Sequence, residues 1–390
     1  MNRRRFLATS ALAASAFAAQ AEKKWRVGVI GHTGRGGYGH GLDTMWLHVP
    51  ETEIIAIADA DAAGLAAARK KLKDAPGFAD YRAMLREAKP ELVAIGPRHV
   101  DQHREMLLAA IESGARGIYV EKPFVRTLAD ADEVIAAAEK TGARIAIAHR
   151  NRYHPVLPEI TNLVEAGAIG RLLEIRARGK EDQRGGALDL WVLGSHLLNV
   201  AFVFSGPPRA CSGTLLQGGR LVTKADVRDG DEGLGPLAGN ELHARIDTES
   251  GVPIYFDSIA KAGVASAGFG VQLVGNEGFI HIRADGDPLA FLVSGSPFAP
   301  GKEPRAWTPI SSGGPGVPEA IPKLREQVVN HVLVARDLIG SIEGRRAPLC
   351  SAEDGRAIVE VISGIFESHR LGGARVTLPL KTRDNPLARL

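Results

Sequence analysis

Val27-Gly28-Val29-Ile30-Gly31-His32-Thr33-Gly34-Arg35-Gly36-Gly37 is the stretch on which the fold turns. The apolar run Arg26–Ile30 reads as a buried strand that delivers the chain into a glycine-rich turn. A helix is expected after the turn, with backbone amides at its N-terminus facing a phosphate, the arrangement of a dinucleotide fingerprint. The register is shifted. Thr33 stands where the middle glycine of Gly-x-Gly-x-x-Gly belongs, and Gly34, Gly36 and Gly39 meet the spacing three residues late. Gly31, Thr33, Gly34, Arg35 and Gly36 are the candidate cofactor-binding residues of the turn. A plain glycine-rich loop is the competing reading.

Downstream, strands and helices alternate. Glu53–Ala58, Leu92–Ile95, Gly117–Val120 and Arg144–Ala148 read as strands. Helices are expected over Leu65–Leu72, Val100–Ser113 and Leu128–Thr141. Short, nearly all-apolar strands separated by helices predict a parallel sheet covered on both faces. After His149 the pattern changes. Helices at Pro158–Ala166 and Leu190–Phe204 surround a strand at Leu172–Arg178. Strands then follow one another at Ala210–Leu215, Glu241–Asp247, Val252–Ser258, Gly270–Val274 and Phe279–Ile282. The fold class is therefore α/β: a Rossmann-type parallel sheet domain (22–150), then an α+β domain (151–390) with an open, mainly antiparallel sheet. Gly218–Gly239 and Gly295–Gly316 read as loops, and Pro322–Glu343 and Ala352–His369 as helices.

Composition excludes other classes. The 390 residues are 45% apolar, 24% charged and 5% aromatic, which rules out disorder, collagen and a polytopic membrane protein. The net charge of +3 is carried by Arg3, Arg4 and Arg5. An alanine-rich apolar run and Ala19-Gln20-Ala21 follow, so residues 1–21 read as a signal peptide. Arg3-Arg4 with Phe6-Leu7 resembles a twin-arginine signal, with a plain secretory signal as the alternative. The apolar run is shorter than the roughly 20 residues of a bilayer span, so no membrane anchor is expected after cleavage. Without those arginines basic and acidic residues are equal in number, which removes the compositional case for nucleic acid. A periplasmic or secreted protein, exported folded, is expected. Cys211 and Cys350 read as free buried thiols.

Chemistry concentrates at strand ends. Asp59 ends the second strand, where a carboxylate accepts from ribose hydroxyls and repels a 2′-phosphate; NAD is expected over NADP. Glu121-Lys122-Pro123 follows the fourth strand, where a lysine can stabilise a developing alkoxide. Farther on come Lys180, Asp182, Arg184, Asp189, His196 and Asn199. The charged loop residues Lys180, Asp182 and Arg184 suit sugar hydroxyls, or form a solvated turn. Asp189 lies two helical turns before His196 and could share its face. No metal site is apparent.

Together the glycine loop, Asp59, Pro97 with His103, Glu121-Lys122-Pro123 and Arg152-Tyr153-x-Pro155 resemble the Gfo/Idh/MocA oxidoreductases, named for glucose–fructose oxidoreductase and inositol dehydrogenase. The resemblance implies that Pro97, His103 and Glu121 line the cofactor. It places Lys122 against nicotinamide ribose and substrate, with a cis Lys122-Pro123 bond. Arg152 and Tyr153 would open the substrate site, His196 would be the general base, and the open sheet would build a homodimer or homotetramer. Val192 and Asn199 stand where family members commonly carry the aspartates flanking this histidine, which puts an Asp–His dyad in doubt. The implied activity is NAD(P)-dependent oxidation of a carbohydrate or polyol hydroxyl, with a cofactor held through many turnovers. Glycoside cleavage by transient oxidation, elimination and re-reduction is the alternative, and a degenerate sugar-binding homologue a third.

Overall fold

The computed structural model describes residues 23–262, 268–301 and 303–390. Residues 1–21, read above as a signal peptide, lie outside them. The first sheet contains β1 (Trp25–Ile30), β2 (Thr52–Ala58), β3 (Gly77–Phe78), β4 (Leu92–Ile95), β5 (Gly117–Val120) and β6 (Arg144–Ile147). Its order is β3-β2-β1-β4-β5-β6, and every pairing is parallel. The order reverses between β1 and β4, so the carboxyl ends of those strands open a crevice. Leu92, Val93, Ala94 and Ile95 are fully buried because helices cover both faces.

Helices α1 (Ala62–Lys71), α2 (Tyr81–Ala88), α3 (His103–Glu112) and α4 (Leu128–Thr141) connect the strands. Asp61, Asp80 and Thr127 cap α1, α2 and α4 by accepting from backbone amides of the first turn. The sequence reading missed α2. The helix expected over Pro322–Glu343 is two helices, Leu324–Val329 and Val332–Glu343. His331 breaks them with φ of 54°. Its buried ring is held by Tyr119 on β5, Oη to Nδ1 2.5 Å, so a side-chain tie overrides helix continuity. Helix Val332–Glu343 packs on β5 and β6, returning the C-terminal half of the chain to the first sheet.

The second sheet has eleven strands and is antiparallel except where Ile254–Ile259 runs parallel to Leu172–Arg178. Strands Ala290–Ser294, Thr308–Ser311 and Gly314–Pro315 extend it, the last two inside the segment expected to be loop. Pro309 interrupts the apolar alternation there, which hid the strand signal. The other expected loop, Gly218–Gly239, carries a small ribbon of Arg228–Gly230 against Gly235–Leu237. Helices Gly186–Ser205 and Ala352–Arg370 cover one face of this sheet. Gly186–Ser205 is long and apolar enough to cross a membrane but is mostly buried inside the protein. The opposite face carries Glu174, Arg176, His243, Tyr255 and Asp257, with Trp307 about half exposed at 51%. Cys211 and Cys350 are free and buried, as read from the sequence.

Candidate active site

The glycine loop corrects the first expectation. No α-helix follows it: residues 32–44 form turns, and only a four-residue 3-10 turn, Met45–His48, comes after. Gly34, Gly36, Gly37, Gly39 and Gly41 all have positive φ, a conformation incompatible with a right-handed helix. Backbone amides of a loop, without a helix dipole, are what this segment offers an anion. A Cβ on Gly31 would lie 2.2 Å from the Tyr38 ring, so Gly31 is a seat for that tyrosine. Asp59 is also engaged. Its buried carboxylate accepts from Thr33 N at 3.1 Å, Thr33 Oγ1 at 2.8 Å and Asp61 N at 3.0 Å. Asp59 and Thr33 thus brace each other, and a ribose reaches Asp59 only when Thr33 and Tyr38 yield.

Around that loop, polar atoms lack partners. Arg35 Nε, Tyr38 Oη, Asp101 Oδ1 and Gln102 Oε1 are buried with no hydrogen bond. Native proteins leave few such atoms. They mark the turns after β1 and β4 as a place where a polar ligand completes the structure, and on this count the residues fit a dinucleotide. Arg35 pairs with Asp101 at 2.5 Å, and Gly233 from the second half of the chain packs against Asp101.

Glu121 and Lys122 leave β5 in opposite roles. Glu121 is fully buried and accepts from His40 N at 2.9 Å and Lys122 N at 2.9 Å, with His40 Nδ1 at 2.5 Å. Burial raises its carboxyl, but the His40 hydrogen bonds and the Lys122 charge prevail and hold it at about 2. It fastens the glycine loop to β5 and does not face the crevice. The Lys122-Pro123 bond is cis. His103 is fully buried, with Nε2 on Pro97 O at 2.7 Å and Nδ1 on Pro123 O at 2.8 Å. Its two ring nitrogens face carbonyls of the β4 and β5 turns, and a neutral ring donates to one of them. Pro97 supplies one of those carbonyls.

Lys122 Nζ donates to Val192 O at 3.0 Å. Val192 lies in the π turn Leu190–Gly194 inside helix Gly186–Ser205. The same turn adds a residue to the helical count and rotates Asp189 away from His196. Asp189 is buried, accepts from Ser258 Oγ at 2.6 Å and Glu181 N at 3.2 Å, and makes no contact with His196. Burial raises its carboxyl. The catalytic reading of Asp189 is corrected: it anchors the loop before the helix to the second sheet.

His196 meets His149 instead. Their Nδ1 atoms are 3.1 Å apart, with ring centroids at 4.8 Å and an interplanar angle of 86°. Burial lowers His149 to about 3, aided by the Lys122 charge. Burial, His149 and Lys122, in that order, push His196 well below the ordinary histidine value. Both rings are therefore neutral at physiological pH. His149 was not among the site candidates read from the sequence. It lies two residues beyond the end of β6, and strand carboxyl ends line the crevice, so its place was the available signal.

The remaining substrate candidates divide. Arg152 Nε donates to Leu349 O at 2.9 Å, Tyr153 Oη lies 3.2 Å from Cys350 N, and Asn199 Nδ2 lies 3.3 Å from Cys350 Sγ. These three gather around Leu349–Cys350 beside the histidine pair, and Asn199 Oδ1 is buried without a partner. Tyr153 is buried and serves that contact rather than an open pocket. Arg184 pairs with Asp182 at 2.5 Å, and Lys180 lies 4.0 Å from the same carboxylate, so the charged turn satisfies itself. Among the described residues no cluster could hold a metal ion.

Residues 25–149 match the model of the GFO_IDH_MocA family, described as an oxidoreductase family with an NAD-binding Rossmann fold. D-apiose dehydrogenase of Paraburkholderia graminis is 31% identical over 125 residues, 32% of this chain and 33% of that protein. Inositol 2-dehydrogenase of Salmonella typhimurium is 29% identical over 132 residues, 33% of this chain and 39% of that protein. The matched part thus spans about a third of these relatives' length. Solved structures extend the likeness of fold. A levoglucosan dehydrogenase in complex with NADH and L-sorbose has a TM-score of 0.71 at 20% identity, covering 92% of this chain and 99% of that one. An Agrobacterium radiobacter oxidoreductase in complex with NAD+, L-tartaric acid and magnesium has a TM-score of 0.67 at 16% identity, covering 91% and 98%.

Proposed function

We propose that this chain is a Gfo/Idh/MocA-type oxidoreductase that removes hydride from a carbinol carbon of a sugar or polyol with NAD. One observation carries the reading: Lys122, His149 and His196 converge in one buried site outside the carboxyl ends of β5 and β6, beside the crevice of a doubly wound sheet. The relatives support it, since those named act on D-apiose and inositol. When bound, NAD supplies the hydride acceptor. The chain's own residues do the rest. Lys122 presents an ammonium where the substrate oxygen gains negative charge, and His196 accepts the hydroxyl proton as the carbonyl forms. Arg152 and Asn199, beside the pair, are placed to orient further hydroxyls. Asp59, with its charge already braced by Thr33, is the residue disposed to favour NAD over NADP.

The proposal extends to compartment and assembly. The N-terminal arginines support export in the folded state, with the cofactor loaded beforehand and retained. The open face of the second sheet, with exposed Trp307 at its end, is the surface for pairing with a second copy.

Incubating the purified protein with NAD and a panel of polyols, aldoses and chromogenic glycosides distinguishes the chemistries. A rise in reduced-nicotinamide absorbance with a polyol or aldose, limited to the bound equivalent while the cofactor is retained, is the expected result. Aglycone release without added NAD and without net reduction would assign transient oxidation with elimination. Sugar binding with neither signal would identify a binding protein.

A further inference from the structure

We propose that His149 is a positioning residue that replaces a carboxylate as the partner of His196, fixing which ring nitrogen of His196 takes the substrate proton. The inference rests on the reading of His196 as the base and deepens it. With the two Nδ1 atoms 3.1 Å apart, one must carry the proton and the other must accept it. His196 can act as a base at Nε2 only if its own Nδ1 is the protonated one. His149 Nδ1 is then the acceptor, and the His149 proton sits on Nε2. A three-residue turn, His149 N to Ile147 O at 2.7 Å, swings the His149 ring off the end of β6 into this contact.

The surroundings support a neutral pair. No carboxylate hydrogen-bonds His196 among the described residues; Val192 offers only its carbonyl, which Lys122 uses. The charged groups facing the pair are Glu121 and Lys122 from the end of β5, Arg150 and Arg152 from the turn after β6, and His40 from the glycine loop. Positive groups outnumber the one carboxylate. A carboxylate partner would stabilise the imidazolium that forms during catalysis. A neutral imidazole does so weakly, so His196 gives up its proton readily after the hydroxyl is oxidised.

Nitrogen-15 NMR of the histidine rings in the full-length protein tests this without any substrate. In the wild type His196 is expected as one neutral tautomer, protonated at Nδ1, from neutral pH down through the ordinary histidine range. His149→Asp should keep that tautomer and shift the protonation midpoint of His196 upward by about one pH unit or more. His149→Phe, with circular dichroism unchanged, should lose the single tautomer. A wild-type His196 protonated at Nε2 would overturn the proposal, as would a His149→Phe spectrum with His196 unchanged. If either variant fails to fold, the wild-type tautomer alone decides. A protein that binds no dinucleotide yet shows the locked tautomer would sink the functional reading and leave the pairing standing. Bound dinucleotide with an unlocked His196 would do the reverse.

Discussion

Lys122→Ala is expected to lower turnover on any accepted sugar or polyol by about 10²–10³-fold with the fold retained, the loss found when a donor to a developing oxyanion is removed. Lys122 is 6% exposed, and among the described residues its ammonium has one hydrogen-bond partner, Val192 O at 3.0 Å, leaving two N–H groups for substrate. Removal strands the Val192 carbonyl, at a cost of about 1–3 kcal/mol. It also removes a buried positive charge beside two imidazoles, which offsets part of that cost. The same substitution therefore has a second signature: His149 and His196 should titrate at higher pH, since Lys122 helps depress both. Steady-state kinetics with a thermal melt reads the first effect, and ring NMR the second. Full turnover in Lys122→Ala would mean that the substrate oxygen sits elsewhere.

Stability should fall steeply as pH drops below the ordinary histidine value. His149 is held at about 3 and His331 at about 4, both by burial first, and His196 also lies well below its ordinary value. Below roughly pH 6.5 the unfolded chain protonates these rings while the folded chain keeps them neutral. The unfolded state then binds more protons, so unfolding free energy rises with pH across this window and is lost on acidification. A ring kept neutral in the fold while it protonates in the unfolded chain contributes up to about 1.4 kcal/mol per pH unit in this window. His243 acts in the opposite direction, because its hydrogen bonds to Asp257 and Glu241 raise it against its burial. It is too exposed to reverse the trend. Urea midpoints measured from neutral pH to about pH 4.5 give the slope, and His331→Asn should flatten it by about one ring's share. A midpoint independent of pH over that range would show that these histidines are solvated.

The strands of the first sheet were legible because each is a short apolar run with no polar alternation, as Leu92–Ile95 shows. The glycine loop was located but misjudged. Periodicity cannot reveal that five glycines take positive φ, nor that Tyr38 fills the space over Gly31. Lys122 and His196 were found from a short motif and a resemblance. Asp189 was misplaced because straight helical counting holds only while each turn has the same length, and the π turn at Leu190–Gly194 breaks it. His103 and Tyr153 have the composition of site residues, yet their polar atoms face carbonyls and amides that only the tertiary fold brings near. His149 contacts a residue 47 positions away, a juxtaposition that no local pattern encodes.

On the proposed function, the crevice beside the glycine loop and Lys122 holds NAD. Mass spectrometry of protein purified natively without added cofactor, then denatured, tests it most directly. Released NAD or NADH at close to one per chain is expected, falling sharply in a Tyr38→Ala, Thr33→Ala, Asp59→Ala triple variant. No released dinucleotide, together with no calorimetric binding of added NAD or NADP, would contradict it.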